Sequence, residues 1–147
     1  MKLSEQSLFS SEPLIEGKSV PQLIRPEVEN VDLADWAAHN VDFINTQLRK
    51  HGALLFSEFK VDSLTKFEQF IRNTSGELLE YQDPSSPRSQ IKDKLYSSTD
   101  YPADQSIFLH NENSYQATWP MVLYFYCLEP PTSQGATPLA STRAVHD

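Results

Sequence analysis

A single cysteine, Cys127, stands in 147 residues. The chain can therefore build neither an internal disulfide framework nor a cysteine-based zinc knuckle. Basic residues are also scarce, with twelve Lys and Arg against twenty Asp and Glu and a net charge of −8. No Lys/Arg run offsets that balance, so the surface does not suit phosphate and nucleic acid is not an expected partner. No apolar stretch approaches the about 20 residues that cross a bilayer. The first twenty residues contain no apolar core of a signal peptide. These absences lead to the expectation of a soluble, cytoplasmic protein without a membrane partner. There is no internal repeat and no low-complexity tract.

What is present is enough for a packed core: 39% hydrophobic residues, including two Trp, six Tyr and eight Phe. The length suits one domain or part of one. Residues 1–19 are polar and aperiodic and read as a loosely held N-terminal arm. "VPQLIRP" (20–26) is extended, because each proline biases its predecessor away from the helical region. Leu33, Trp36, Ala37, Val41, Ile44 and Leu48 recur at three- and four-residue steps. They predict one helix, capped by Asp32 and followed by Gly52. "ALLF" (53–56) suits a strand buried on both faces. A second helix follows with Asp62 or Ser63 as cap, Leu64, Phe67 and Ile71 inward, and Gly76 after its end.

Residues 82–106 are rich in Pro, Ser and Asp, without clear elements. A segment of that length is often a lid or binding loop. "SIFLHNE" resumes strand-like alternation, and "MVLYFYC" (121–127) reads as a strongly β-prone strand with Cys127 buried as a small hydrophobe. A turn is expected around Gly135, and "STRAVHD" opens a helix capped by Ser141 or Thr142. The mixture of helices and strands indicates an α+β fold.

Within this frame His110 and Glu112 stand two apart. In a strand, residues i and i+2 share a face. Imidazole nitrogen with carboxylate oxygen suits iron(II), manganese or zinc. The spacing alone is weak, since H-x-[DE] arises by chance about 0.5 times in such a chain. By parity Phe108 shares their face, with Ile107 and Leu109 opposite. A charged glutamate on an inward face costs several kcal/mol unless it is paired or bound to a metal.

Residues 96–145 carry H-N-E followed by S-Y, W-P before an apolar run, a doubled proline and a G-x-T-P turn. This set resembles the TauD/TfdA superfamily of iron(II)- and 2-oxoglutarate-dependent dioxygenases, most of all its SyrP-like and clavaminate-synthase-like branch. The resemblance begins near residue 52 and extends to the end of the chain. It implies the N-terminal part of a double-stranded β-helix, or jelly roll, with flanking helices over residues 20–147. It implies Fe(II) as cofactor and 2-oxoglutarate as co-substrate. His110 and Glu112 map onto two of the family's three protein ligands to iron, and Thr137 onto the threonine that binds the far carboxylate of 2-oxoglutarate. It also implies hydroxylation of an amino acid or a carrier-bound derivative. Ser97, Ser98 and Asp100 are candidates for substrate contact in the 82–106 segment.

The chain departs from the family pattern in three places. Gln134 stands where a first glycine is common, and Ser141 where an acid is often found. The family's distal histidine and its arginine for 2-oxoglutarate have no counterpart here. His146 and Arg143 lie at an expected helix start, Arg143 as a solvated charge. His39 and His51 suit surface or helix-capping roles. The chain is thus expected to match the N-terminal half of such a domain, completed by a missing C-terminal half or by self-association into a homo-oligomer. Two other readings remain open: a non-catalytic interaction module, and a cupin-like metal protein whose remaining ligands come from a second subunit.

Overall fold

The computed structural model describes residues 9–80, 88–98, 100, 102, 105–133 and 135–146. The chain divides into two compact units, residues 1–74 with 139–147, and residues 75–138.

The first unit is organised around a mixed three-stranded sheet of order β1-β2-β3. Strand β1 (Phe9–Pro13) runs antiparallel to β2 (Gln22–Pro26), pairing Phe9 with Pro26 and Pro13 with Gln22. Strand β3 (Leu54–Phe56) runs parallel to β2, with Ile24 opposite Phe56. A parallel pair needs a crossover, here α1 (Leu33–His39) and α2 (Val41–His51). After β3 comes α3 (Leu64–Ser75), and the short α4 (Thr142–His146) belongs to the same unit. Central strand β2 carries the largest fully buried side chain among the described residues, Ile24, at 0% exposure.

The single helix expected from Leu33 onward is two helices. Asn40 interrupts it at φ −126°, ψ 23°, while its Nδ2 donates to the Trp36 carbonyl at 2.8 Å. A side chain that bonds nearby backbone offers the chain an alternative to the helical ladder. Both termini form as expected. Asp32 Oδ1 accepts from the Asp35 amide at 3.0 Å, and Gly52 closes α2 at φ +82° with its amide on the Leu48 carbonyl. Ser63 Oγ, the second of the two candidates, accepts from the Lys66 amide in the first turn of α3. Phe67 and Ile71 of its expected inner face are buried, joined by Phe70 and Thr74, whereas Leu64 is half-buried.

Two further expectations are corrected in this unit. Residues 9–13 of the arm are a strand, because Phe9 anchors them: its ring packs edge-on against Trp36 and Phe43, with centroids 5.1 and 4.9 Å apart. The cluster continues through Phe56, Phe59 and Phe70. Residues 1–8 of the arm lie outside the described residues. Strand β3 is not buried on both faces, since it forms an edge of the sheet and Leu55 is exposed.

The second unit contains a hairpin that the 82–106 segment does not announce. Strand β4 (Gln90–Lys92) pairs antiparallel with β5 (Leu95–Tyr96), Gln90 opposite Tyr96. The turn places Asp93 at φ +46°, a conformation aspartate tolerates. Gln90 Nε2 donates to the Asp93 carbonyl across it. Strands of two and three residues are too short to carry a period, which is why composition alone suggested a loop. Residues 82–87, 99, 101, 103 and 104 of that segment lie outside the described residues.

The strands expected at 106–112 and 121–127 belong to no sheet among the described residues. Residues 121–127 keep the parity of a strand: Met121, Leu123, Phe125 and Cys127 are exposed while Val122, Tyr124 and Tyr126 are half-buried. Alternation sets which side chains share a face, but a strand also needs a neighbour for its N–H and C=O groups. Cys127 is therefore exposed, not buried. Phe108, expected inward, is 87% exposed. Among the described residues no helix is long and apolar enough to cross a membrane.

Candidate metal centre

His110 and Glu112 come together without a strand to align them. His110 lies in a stretch that is neither helix nor strand, and a turn over residues 112–115 follows. Asn113, buried and at φ +55°, makes the bend possible, because asparagine enters the left-handed region more readily than most residues. Its carbonyl accepts from the Gln116 amide at 3.1 Å.

At the entry to this turn a pair of donor atoms face each other. His110 Nε2 lies 3.4 Å from Glu112 Oε2. The other ring nitrogen, Nδ1, is 2.8 Å from the Phe108 carbonyl and donates to it, which turns Nε2 to Glu112. Divalent first-row ions bind nitrogen and oxygen at about 2.0–2.2 Å, so two adjacent donors at right angles stand about 3 Å apart. The observed spacing fits one shared ion, and the ligand types fit iron(II). His110 is 56% exposed at its side chain and Glu112 16%. The imidazole is open to an incoming ion while the carboxylate is held.

Arg88 holds it. Its Nη2 donates to Glu112 Oε1 at 2.8 Å, with the arginine side chain 18% exposed. Sequence reasoning missed this residue, which sits in a Pro/Ser-rich stretch. One signal could have pointed to it: Arg88 is the only arginine between Arg72 and Arg143.

The other candidates separate into groups. Ser97 and Asp100 meet at the base of the hairpin. Ser97 Oγ donates to Asp100 Oδ1 at 2.8 Å and Ser89 Oγ to Asp100 Oδ2 at 2.7 Å. The Ser89 amide donates to Ser97 Oγ at 2.9 Å. The hydroxyls of Ser89 and then Ser97 hold the Asp100 carboxyl below the ordinary range, because they stabilise its charged form. This network ties the ends of β4 and β5. Ser98 is exposed and outside it.

Thr137 is exposed, two residues beyond Gly135, and its hydroxyl makes no hydrogen bond among the described residues. Gly135 has φ +76°, and a Cβ there would lie 2.9 Å from Pro131 Cβ and closer still to its Cγ. The doubled proline and the G-x-T turn are thus one device: Pro131 packs on a glycine that leaves room for nothing larger.

Arg143 is exposed near the start of α4, as expected, and also has partners. Its Nη2 and Nη1 donate to the carbonyls of Arg49 and Lys50 at 2.9 and 3.3 Å, closing the C-terminus of α2. His39 Nδ1 bonds the Asp35 carbonyl at 2.9 Å, His51 is the last residue of α2, and His146 is exposed on α4. Among the described residues no three His, Cys, Asp or Glu side chains converge as a complete metal-binding group.

Comparison with known proteins gives a consistent result. The model of the taurine catabolism dioxygenase TauD, TfdA family matches residues 16–147. The dapdiamide synthesis protein DdaC of Enterobacter agglomerans is 29% identical over 137 residues, 93% of this chain and 41% of that protein. A clavaminate synthase-like protein of Arabidopsis thaliana is 28% identical over 105 residues, 71% of this chain and 32% of that protein. The chain spans less than half the length of these curated relatives.

Proposed function

This chain belongs to the TauD, TfdA dioxygenase family, and on that premise we propose that it carries part of the active site of an Fe(II)- and 2-oxoglutarate-dependent oxygenase. The observation that carries the reading is the 3.4 Å approach of His110 Nε2 to Glu112 Oε2, with Nδ1 anchored on the Phe108 carbonyl. His110 and Glu112 would hold the iron, and Thr137 would take the far carboxylate of 2-oxoglutarate. When bound, iron and 2-oxoglutarate supply the oxidising power for hydroxylation. The protein residues bind and orient. The Phe108 carbonyl fixes the imidazole tautomer, Arg88 fixes the carboxylate, and the Gly135 turn fixes the approach of the chain to Thr137. The domain that completes the site is a jelly roll by family resemblance. The substrate class we favour is an amino acid or carrier-bound derivative, in keeping with relatives named for dapdiamide synthesis and likeness to clavaminate synthase.

The test is metal binding by the chain. Mn(II), used as an oxygen-stable substitute for iron(II), should bind the wild type and lose at least tenfold in affinity in His110→Ala. Equal affinity in the two proteins would refute the assignment. Succinate production from 2-oxoglutarate with added iron should be weak for this chain, which presents two of the three protein ligands among its described residues.

A second reading rests on a different observation. Phe108 and Met121 are 87% and 89% exposed, and Phe125 is exposed beside them in sequence parity with Met121. Apolar side chains of this kind favour association. As an interaction or self-associating module the chain would form a defined oligomer by light scattering. A well-folded monomer would count against that reading.

A further inference from the structure

We propose that Arg88 is a positioning residue for the metal-facing carboxylate of Glu112, an inference that rests on the assignment of His110 and Glu112 as metal ligands. A carboxylate has two oxygens and can present either one, or both, to an ion. Here they are distinguished. Oε1 accepts from Arg88 Nη2 at 2.8 Å, and Oε2 is the oxygen 3.4 Å from His110 Nε2. With Oε1 engaged by a cation and Oε2 turned to His110, the plane of the carboxylate is set before an ion arrives.

The surroundings make this a constraint instead of a passing surface contact. The side chains of Arg88 and Glu112 are 18% and 16% exposed, so neither is free to swing into bulk water. A mostly covered carboxylate needs a charge partner whenever the ion is away. Arg88 fulfils that need and keeps the ligand in place. The guanidinium does oppose a divalent ion electrostatically, about one carboxylate away. Orientation prevails, because partners that fix metal ligands are generally worth about 10–100-fold in affinity.

The hairpin gives Arg88 a stable base. Ser89, its neighbour, donates its amide to Ser97 Oγ and accepts from the Ser97 amide at 2.8 Å. Ser97 and Asp100, candidates for substrate contact, thus brace the segment from which Arg88 reaches Glu112.

The test measures Mn(II) affinity by the paramagnetic resonance of the free ion, using the full chain and the variants Arg88→Met, Arg88→Gln and Arg88→Lys. Circular dichroism follows the fold of each. Met and Gln should weaken binding about tenfold. Lys, which can still give one charged hydrogen bond to Oε1, should recover most of the loss. A merely structural role would not be rescued by charge in this way. Binding by both Met and Gln variants within twofold of wild type, or tighter, would overturn the proposal while leaving the ligand assignment intact. A Lys variant that folds but binds as weakly as Met would overturn it too. Mn(II) binding unchanged in His110→Ala would overturn the ligand assignment, and this inference with it.

Discussion

The unit formed by residues 9–74 and 139–146 and the unit of residues 75–138 hold their large apolar side chains in opposite ways. In the first, Leu23, Ile24, Leu33, Ile44, Phe67, Phe70 and Ile71 are buried. Asp32 caps α1, Gly52 closes α2, and aromatic rings meet edge to face. In the second, Leu95 is the one buried large hydrophobe among the described residues, while Phe108, Met121 and Phe125 face outward. Yet the second unit carries the candidate metal ligands. There, local order comes from polar devices: a serine–aspartate brace, an arginine on a carboxylate, and a proline packed on a glycine. A recognition site of this kind is held by hydrogen bonds and turns, and the stability of the fold resides in the other unit.

The largest expected effect lies in the buried unit. Phe70→Ala should lower unfolding stability by about 3–5 kcal/mol, since it empties a site that Phe56 packs against at 5.3 Å. Its urea midpoint should fall accordingly. Next is Gly135→Ala in the site-bearing unit. The left-handed backbone costs about 1–3 kcal/mol for a residue with a Cβ, and the contact with Pro131 adds to it. Amide hydrogen exchange should accelerate through residues 131–138 and stay unchanged in α1 and α2. Global unfolding in this variant would erase the contrast between the units.

A smaller effect is expected at the start of α1. Asp32→Ala should cost about 1 kcal/mol through loss of the cap. Burial pushes the Asp32 carboxyl up, but the Asp35 amide and the Lys66 ammonium at 2.9 Å outweigh it, and the pKa is lowered overall. A carboxyl lowered by folding contributes stability above its unfolded pKa and loses it as pH falls through the folded value. The gap between wild type and Asp32→Ala in thermal melts should be full at neutral pH and narrow below about pH 4. The smallest effect is reserved for the exposed run. Phe125→Ser should change stability by no more than about 0.5 kcal/mol. A cost near that of Phe70→Ala would show that the run packs against something in solution.

Much of the first unit was legible because its signals are local. The three- and four-residue apolar steps, Asp32, Ser63, Gly52 and Gly76 each act within a turn or two of backbone. The break at Asn40 was not legible, because both helices share one apolar stripe across it. The arm was misread because the strand at residues 9–13 depends on Phe9 reaching Trp36 and Phe43, contacts that span some thirty residues. At the site, the sequence pattern brought His110 and Glu112 to notice, but by the wrong local structure. They meet in a stretch that belongs to no strand, at the entry to a turn that contains Asn113. The pairing of Arg88 was not legible because its partner lies 24 residues ahead in a stretch without period.

By itself the sequence determined the family and the caps and singled out the candidate ligand pair, since motifs and helix ends are written in residues close along the chain. Tertiary structure alone decided that Asp100 braces a hairpin, that Arg143 bonds the last carbonyls of α2, and which oxygen of Glu112 faces His110. Each of these depends on atoms distant in sequence arriving within hydrogen-bond reach. A charged side chain takes whichever partner the folded backbone brings to it, and no spacing in the sequence specifies that choice.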